Sequence, residues 1–259
     1  ASQALDASEL IANEPVTVIL SQKGWIRAAK GYDIEAESLS YRAGDGYLAA
    51  AKGRTTQPTY ILDSTGRVYS ITTHDLPSAR SQGEPLTGRL NPPAGSVFVD
   101  VFSGQGDDWL LMLSSAGYGF RVQLKELHSK NKAGKAVLSL PQAGEVLAPA
   151  PIADADDWLA VATLQGRLLI FPAQELPELA KGKGNKLIQI PNGDLLSGKD
   201  KVVAVVALAA TDELKVLSGK RHLTLKAMDI QQYTGNRANR GTALPRGFQK
   251  VDGLEAVKA

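Results

Sequence analysis

Residues 157–191 read DWLAVATLQGRLLIFPAQELPELAKGKGNKLIQIP, and the fold is decided there. An apolar run from Trp158 to Thr163 meets a second, Arg167 to Phe171, across Leu164-Gln165-Gly166. Glycine at that turn tolerates the positive φ that a tight hairpin demands. The acidic-aliphatic pair Glu175-Leu176 follows, then a loop of lysine and glycine, then a further short apolar segment from Lys186 to Ile190.

The same phrase returns four more times. VTVILSQKGWIRAA stands at 16–29, PTYILDSTGRVYSI at 58–71, DWLLMLSSAGYGFRVQL at 108–124 and ELKVLSGKRHLTLK at 213–226. The turn glycines are Gly24, Gly66, Gly117, Gly166 and Gly219, and the acidic-aliphatic pairs are Asp33-Ile34, Asp75-Leu76, Glu126-Leu127, Glu175-Leu176 and Asp229-Ile230. Spacings of roughly 42 to 53 residues lie where each repeat is one propeller blade. A lone hairpin cannot bury its apolar faces, so the units must pack on one another. Segments such as Lys135 to Leu140, with later glycines Gly44, Gly95, Gly144 and Gly193 in phase, bring each unit to about four short strands. The expectation is an all-β, five-bladed, propeller-like domain over residues 15–257, preceded by a linker or arm over residues 1–14. Helical periodicity is confined to Ala4–Ile11 and Lys226–Tyr233.

The chain is 43% hydrophobic and 22% charged, ordinary for a globular protein with a sizeable core. It has no cysteine, which excludes disulfides, thiolate zinc sites and a cysteine nucleophile, and permits a cytoplasmic home. No stretch approaches the roughly 20 apolar residues of a membrane helix, and the start has no signal-peptide pattern. An opening Ala in a linker-like segment suggests a piece of a longer polypeptide.

Most Val, Ile, Leu and Trp of the hairpins read as core, and Trp109 and Trp158 read as structural. The recurring acids read as turn caps rather than a metal ring. His74, His128 and His222 fall in different units without metal-ligand spacing, and read as exposed loop residues. KGKGNK at 181–186 lacks the order of a nucleotide P-loop, and no GxSxG is present.

What distinguishes the units is the charge of their loops. The second offers Arg80 and Arg89, the third Lys130, Lys132 and Lys135, and the fourth Lys181, Lys183 and Lys186. The fifth offers Lys220, Arg221, Arg237, Arg240, Arg246 and Lys250. Loops at equivalent points of successive blades are expected to form a discontinuous positive belt around one rim. Glycines among the cations are expected to let the backbone approach a ligand closely. Few aromatics are interleaved, which favours duplex phosphate over stacked single strands. Arg221 and Arg246 lead these candidates because their unit has the densest basic run. The rival classes are a protein-interaction propeller docking an acidic partner, and a propeller enzyme with carboxylates converging at its centre.

Together, ELIANEPVTVILSQKGWIRAAKGYDI, DSTGRVYSI, LPSARSQGEPLTGRL, SAGYGF, LPELAKGKGNKLIQIP and GKRHLTL resemble the C-terminal domain of the bacterial type IIA topoisomerase A subunits, over roughly Glu9 to Leu254. The resemblance implies a β-pinwheel, a propeller-like disc that exchanges strands between neighbouring blades, whose rim binds and bends duplex DNA. It implies an accessory domain of an ATP-hydrolysing topoisomerase, with ATP and Mg used on other domains or subunits and no cofactor in this chain. The implied partners are duplex DNA, the N-terminal catalytic portion of the same polypeptide and a separate ParE-like ATPase subunit in a heterotetramer. The implied location is cytoplasmic and nucleoid-associated, with peripheral inner-membrane association by analogy.

The family's catalytic tyrosine lies in an Ala-Arg-Tyr-Thr context that surrounds none of Tyr32, Tyr41, Tyr47, Tyr60, Tyr69, Tyr118 or Tyr233, so this segment is expected to carry no catalytic residue. The gyrase type carries a Q-R-G-G-R-G box after its first hairpin. Here GYDIEAESLSYRAGD supplies Asp33, Glu35 and Glu37 instead, which points to the topoisomerase IV type and to bending rather than full wrapping.

Overall fold

Each apolar pair forms its hairpin, and the first four turns close alike. In a computed structural model that describes residues 11–259, Gly166 adopts φ +84° and its amide donates to the Thr163 carbonyl at 3.0 Å, closing the turn. Gly24, Gly66 and Gly117 repeat that bond to Ser21, Asp63 and Ser114. The residue that starts the turn also accepts from the strand beyond it: Ser21 Oγ from the Trp25 amide, Asp63 Oδ1 from Arg67 and Thr163 Oγ1 from Arg167. Two hydrogen bonds per turn thus set the register of hairpins one, two and four; of the two, the third turn keeps only the Gly117 bond, and in the fifth the Gly219 amide donates to Asp252 instead.

Sheet one consists of β1 (Pro15–Ser21) and β2 (Trp25–Lys30), with β3 (Tyr47–Arg54) on β1 and β6 (Glu84–Pro85) on β2. Sheet two joins β4 (Pro58–Asp63) and β5 (Arg67–Thr72) to β7 (Phe98–Ser103) and β10 (Lys135–Ala136). Sheet three joins β8 (Trp109–Leu113) and β9 (Tyr118–Gln123) to β11 (Ala150–Ile152) and β14 (Asn185–Lys186). Sheet four joins β12 (Trp158–Thr163) and β13 (Arg167–Pro172) to β15 (Val202–Leu208) and β18 (Thr242–Ala243). Sheet five has β16 (Glu213–Ser218) flanked by β17 (Arg221–Leu225) and β19 (Gly253–Val257). In four sheets one edge strand is therefore given by the next repeat. The fifth sheet has three strands among the described residues, and β17 stands at its edge.

By packing, one compact unit runs to Asp107 and takes in Leu124–Val137; the other is Asp108–Gln123 with Leu138–Ala259. The exchanged strand β10 thus belongs with the sheet it completes. In the first unit Val18, Leu20, Ile26, Ile61, Tyr69 and Val101 form the core of sheets one and two. In the second, Leu111, Leu159, Val161 and Phe171 fill the space between sheets three and four, and Ala160, Ile170, Leu214 and Val216 that between four and five. Sheet four is thus covered on both faces, which explains why its strands read as continuous apolar runs rather than alternating ones. Each fully buried Leu or Phe contributes about 1.5–3 kcal/mol.

Three expectations need correction. The segments Lys135–Leu140 and Lys186–Ile190 give strands of two residues, because Val137, Leu138, Leu187 and Ile188 leave the edge to enter the core. Of the recurring acids all but Asp33 sit in short helical turns, and of Asp75, Glu175 and Asp229 only Asp229 caps, accepting from the Lys226 amide at 3.1 Å. The turns before the hairpins are capped by other acids, Asp157 by the Ala153 and Asp154 amides and Asp212 by that of Ala209. Gly193 lies inside an unforeseen helix, α1 (Asn192–Ser197), and Ala143 rather than Gly144 takes the positive φ. The helical pattern at Lys226–Tyr233 becomes α2 (Ala227–Ile230) and a 3-10 turn, Gln231–Tyr233. That at Ala4–Ile11 falls outside the described residues except for Ile11.

Candidate nucleic-acid interface

Each exchanging loop first runs beside the second strand of the preceding hairpin. The Ala28 amide donates to Pro77 and that of Ala79 to Ala28, Arg121 donates to Pro177 and Leu179 to Arg121, and Gly235 donates to Ile170. The chain then doubles back through a glycine and pairs for two residues. Gly184 makes that approach possible: at φ +81°, a Cβ there would lie 2.0 Å from the Gly119 carbonyl oxygen. Gly83, Gly134 and Gly241 hold the matching positions against Ile26, Val68 and Leu168. These four glycines therefore serve close contact with protein rather than with a ligand, whereas a Cβ on Gly88 or Gly182 of the same loops would meet nothing closer than 4.0 Å.

Neighbouring loops also touch at matching points. The Asn91 amide donates to the Lys132 carbonyl, Ser139 to Gly182 and Gln189 to Asn239. The cations of the second and third loops thereby gather on the first unit, and those of the fourth and fifth on the second.

Of the thirteen candidates, four are held by protein partners. Arg89 is ion-paired to Glu84 and donates to the Asp75 carbonyl at 2.8 Å. Lys135 Nζ donates to the Glu126 carbonyl, Lys186 Nζ to Gln189 Oε1 and Arg237 Nη1 to the Lys186 carbonyl, each at 2.6 Å. The other nine, Arg80, Lys130, Lys132, Lys181, Lys183, Lys220, Arg221, Arg240 and Arg246, are exposed. Among the described residues none of the nine pairs with a carboxylate. Arg221 Nη1 lies 3.0 Å from where a Cβ on Gly247 would stand, so Arg221 and Arg246 adjoin at the open edge of sheet five. Lys183 and Lys186 rest over the Tyr118 ring at 4.9 and 5.9 Å. His74, His128 and His222 are exposed, with His74 Nε2 3.1 Å from Asp75.

A second set of cations escaped the sequence reading. Arg27 donates through Nη1 to the Ser81 carbonyl at 2.8 Å. Arg67 reaches Ala133 at 2.8 Å and Gly134 at 3.1 Å, Arg121 reaches Leu176 at 2.9 Å and Arg167 reaches Gly241 at 3.0 Å. All four lie on the second strand of a hairpin and hold the backbone of the following repeat. In Gly66-Arg67 and Gly166-Arg167 the signal was present, an arginine directly after a turn glycine, but nothing local shows what it grips.

The first loop departs from the pattern. Where the others place their close-approach glycine, it has Tyr41, whose hydroxyl donates to the Ala36 carbonyl at 2.6 Å. Arg27 donates to Ser40 at 2.8 Å and lies over the Tyr41 ring, and Arg42 lies over Trp25. The loop is thus folded on its own sheet, with Asp33, Glu35 and Glu37 exposed.

Consecutive sheets that exchange an edge strand, each with a loop at the exchange point, define a β-pinwheel of the propeller class. The family description "DNA gyrase C-terminal domain, beta-propeller" matches residues 108–153 and 157–208. The A subunit of DNA topoisomerase 4 from Pseudomonas aeruginosa is 52% identical over 254 residues, covering 98% of this chain and 34% of that protein. Its Escherichia coli counterpart is 45% identical over the same share. The chain thus spans about a third of the length of these curated relatives. The solved E. coli ParC C-terminal domain superposes with a TM-score of 0.84 at 46% identity, covering 95% of this chain and all of that one. A DNA gyrase A C-terminal domain, 16% identical, shares the fold with a TM-score of 0.70 over 95% of this chain and 83% of its own. The chain belongs to the family of C-terminal domains of the topoisomerase IV A subunits.

Proposed function

We propose that this chain binds and bends duplex DNA, and that within a complete topoisomerase IV it helps select the DNA topology on which ATP-dependent decatenation and supercoil relaxation act. It works as an accessory domain whose own residues perform no strand cleavage. Its partners are duplex DNA, the catalytic portion of the same polypeptide and a separate ATPase subunit, in a cytoplasmic, nucleoid-associated enzyme. ATP and Mg are used elsewhere in that assembly.

The carrying observation is the recurrence, in four successive exchanging loops and at the edge of β17, of exposed cations that have no carboxylate partner among the described residues. Cations spaced by a protein repeat suit a regular polyanion, and they read phosphate rather than base edges. Bending 20–30 base pairs costs about 1–6 kcal/mol, which several phosphate contacts offset. The acidic first loop, latched by Tyr41, leaves the track short of a full wrap.

The test is duplex affinity between 50 and 200 mM salt. A steep fall is expected, flattened by Arg221→Glu with Arg246→Glu. Unchanged affinity and slope in that variant would remove these two residues from the interface. No duplex binding by the parent chain would favour an acidic protein partner instead.

A further inference from the structure

We propose that Arg27, Arg67 and Arg167 are positioning residues for nucleic-acid binding. Each holds the turn of the next repeat's loop, and so keeps the cations beside that turn where phosphate can meet them. This rests on the duplex-binding reading above.

The geometry is clearest at Arg67. Its Nε and Nη2 grip the adjacent carbonyls of Ala133 and Gly134 at 2.8 and 3.1 Å, between Lys132 and Lys135. Arg27 grips Ser81, next to Arg80, and Arg167 grips Gly241, next to Arg240. The strands these turns lead into are only two residues long, so the ladder alone offers little against the entropy of a closed loop. A guanidinium fork, planar and always charged, spans two carbonyls; an ammonium is a single point charge and does not.

The molecule contains its own contrast. Arg121 binds Leu176, at the start of the fourth loop and away from Gly184, while Lys183 and Lys186 rest on the Tyr118 ring. In that loop the lysines are seated on an aromatic ring, so their placement is independent of a clasp at the turn.

The experiment compares the full chain with Arg67→Met, Arg67→Lys and Arg121→Met, by amide hydrogen exchange and by the salt dependence of duplex binding. In Arg67→Met the amides of Gly134 and Val137, bonded to Asn131 and Gly66, are expected to exchange about ten- to hundredfold faster, since a hydrogen bond to a charged group is lost. The β4–β5 amides keep their protection, and the salt slope falls by about one to two although every loop lysine remains. Arg67→Lys retains the charge and is expected to fold, yet to show the same fast loop exchange. Arg121→Met leaves the slope as in the parent.

Normal loop protection in both Arg67 variants, or a loop that opens without any change in duplex binding, would overturn the inference while leaving the binding reading intact. Equal loss of protection in β4–β5 would reduce Arg67 to a general support of the fold, again overturning it. A parent chain that binds no duplex would sink the binding reading and the inference with it.

Discussion

At the scale of single residues, small changes of atom or charge have different signs at different places. Gly184→Ala forces both a positive φ and a Cβ into the Gly119 carbonyl, so a loss of at least about 2 kcal/mol is expected in urea unfolding. Asp100 on β7 is half-buried, and burial, only partly opposed by the Val101 amide, pushes its carboxyl from 3.8 up to about 7. Its folded value exceeds its unfolded one, so the native state keeps the extra proton between about pH 4 and 7, and stability falls as pH rises through that window. Asp100→Asn is therefore expected to raise Tm by about 2–4 °C at pH 8 and to leave it unchanged at pH 4. Asp212 behaves oppositely. The Ala209 amide, then the Lys258 ammonium, hold its carboxyl below the usual range against the effect of burial. That contribution is present above the unfolded value and lost as pH falls through the folded one. Asp212→Asn should thus lower Tm at neutral pH and match the parent in strong acid.

At the scale of elements, the exchanging loop is the unit that joins fold to function. Replacing Lys130 and Lys132 by Ala, both exposed, is expected to reduce the salt slope of duplex binding by about two and leave Tm unchanged. Arg89→Ala should do the reverse, costing stability through Glu84 and the Asp75 carbonyl while barely moving the slope. This division could not be read from the chain. In sequence, Arg80 and Arg89 look alike, as do Lys132 and Lys135; a neighbour contributed by a turn or by another strand separates them. The hairpins themselves were legible, because the period of apolar residues and the turn glycine are local signals. The two-residue edge strands were not, since their pairing partners lie 58 to 76 residues earlier.

At the scale of the whole molecule, a bend rather than a wrap is expected. With the chain bound to relaxed circles in the presence of a relaxing enzyme, no signed change in linking number should appear; a consistent signed change would show that the acidic first loop does not limit the track. The sequence by itself determined five β-hairpin repeats, their all-β class, their family and the charge that differs from loop to loop. These follow from short-range periodicity and from residues standing side by side. Only the tertiary structure decided which two residues of four loops pair with the preceding sheet while the first loop folds on its own, that Arg27, Arg67, Arg121 and Arg167 grip backbone, that four of thirteen candidate cations are already engaged, and that β17 is left at an edge. The physical reason is the same in each case: a hydrogen bond between residues distant in the chain depends on where the backbone is carried, and residue identity alone does not encode that position.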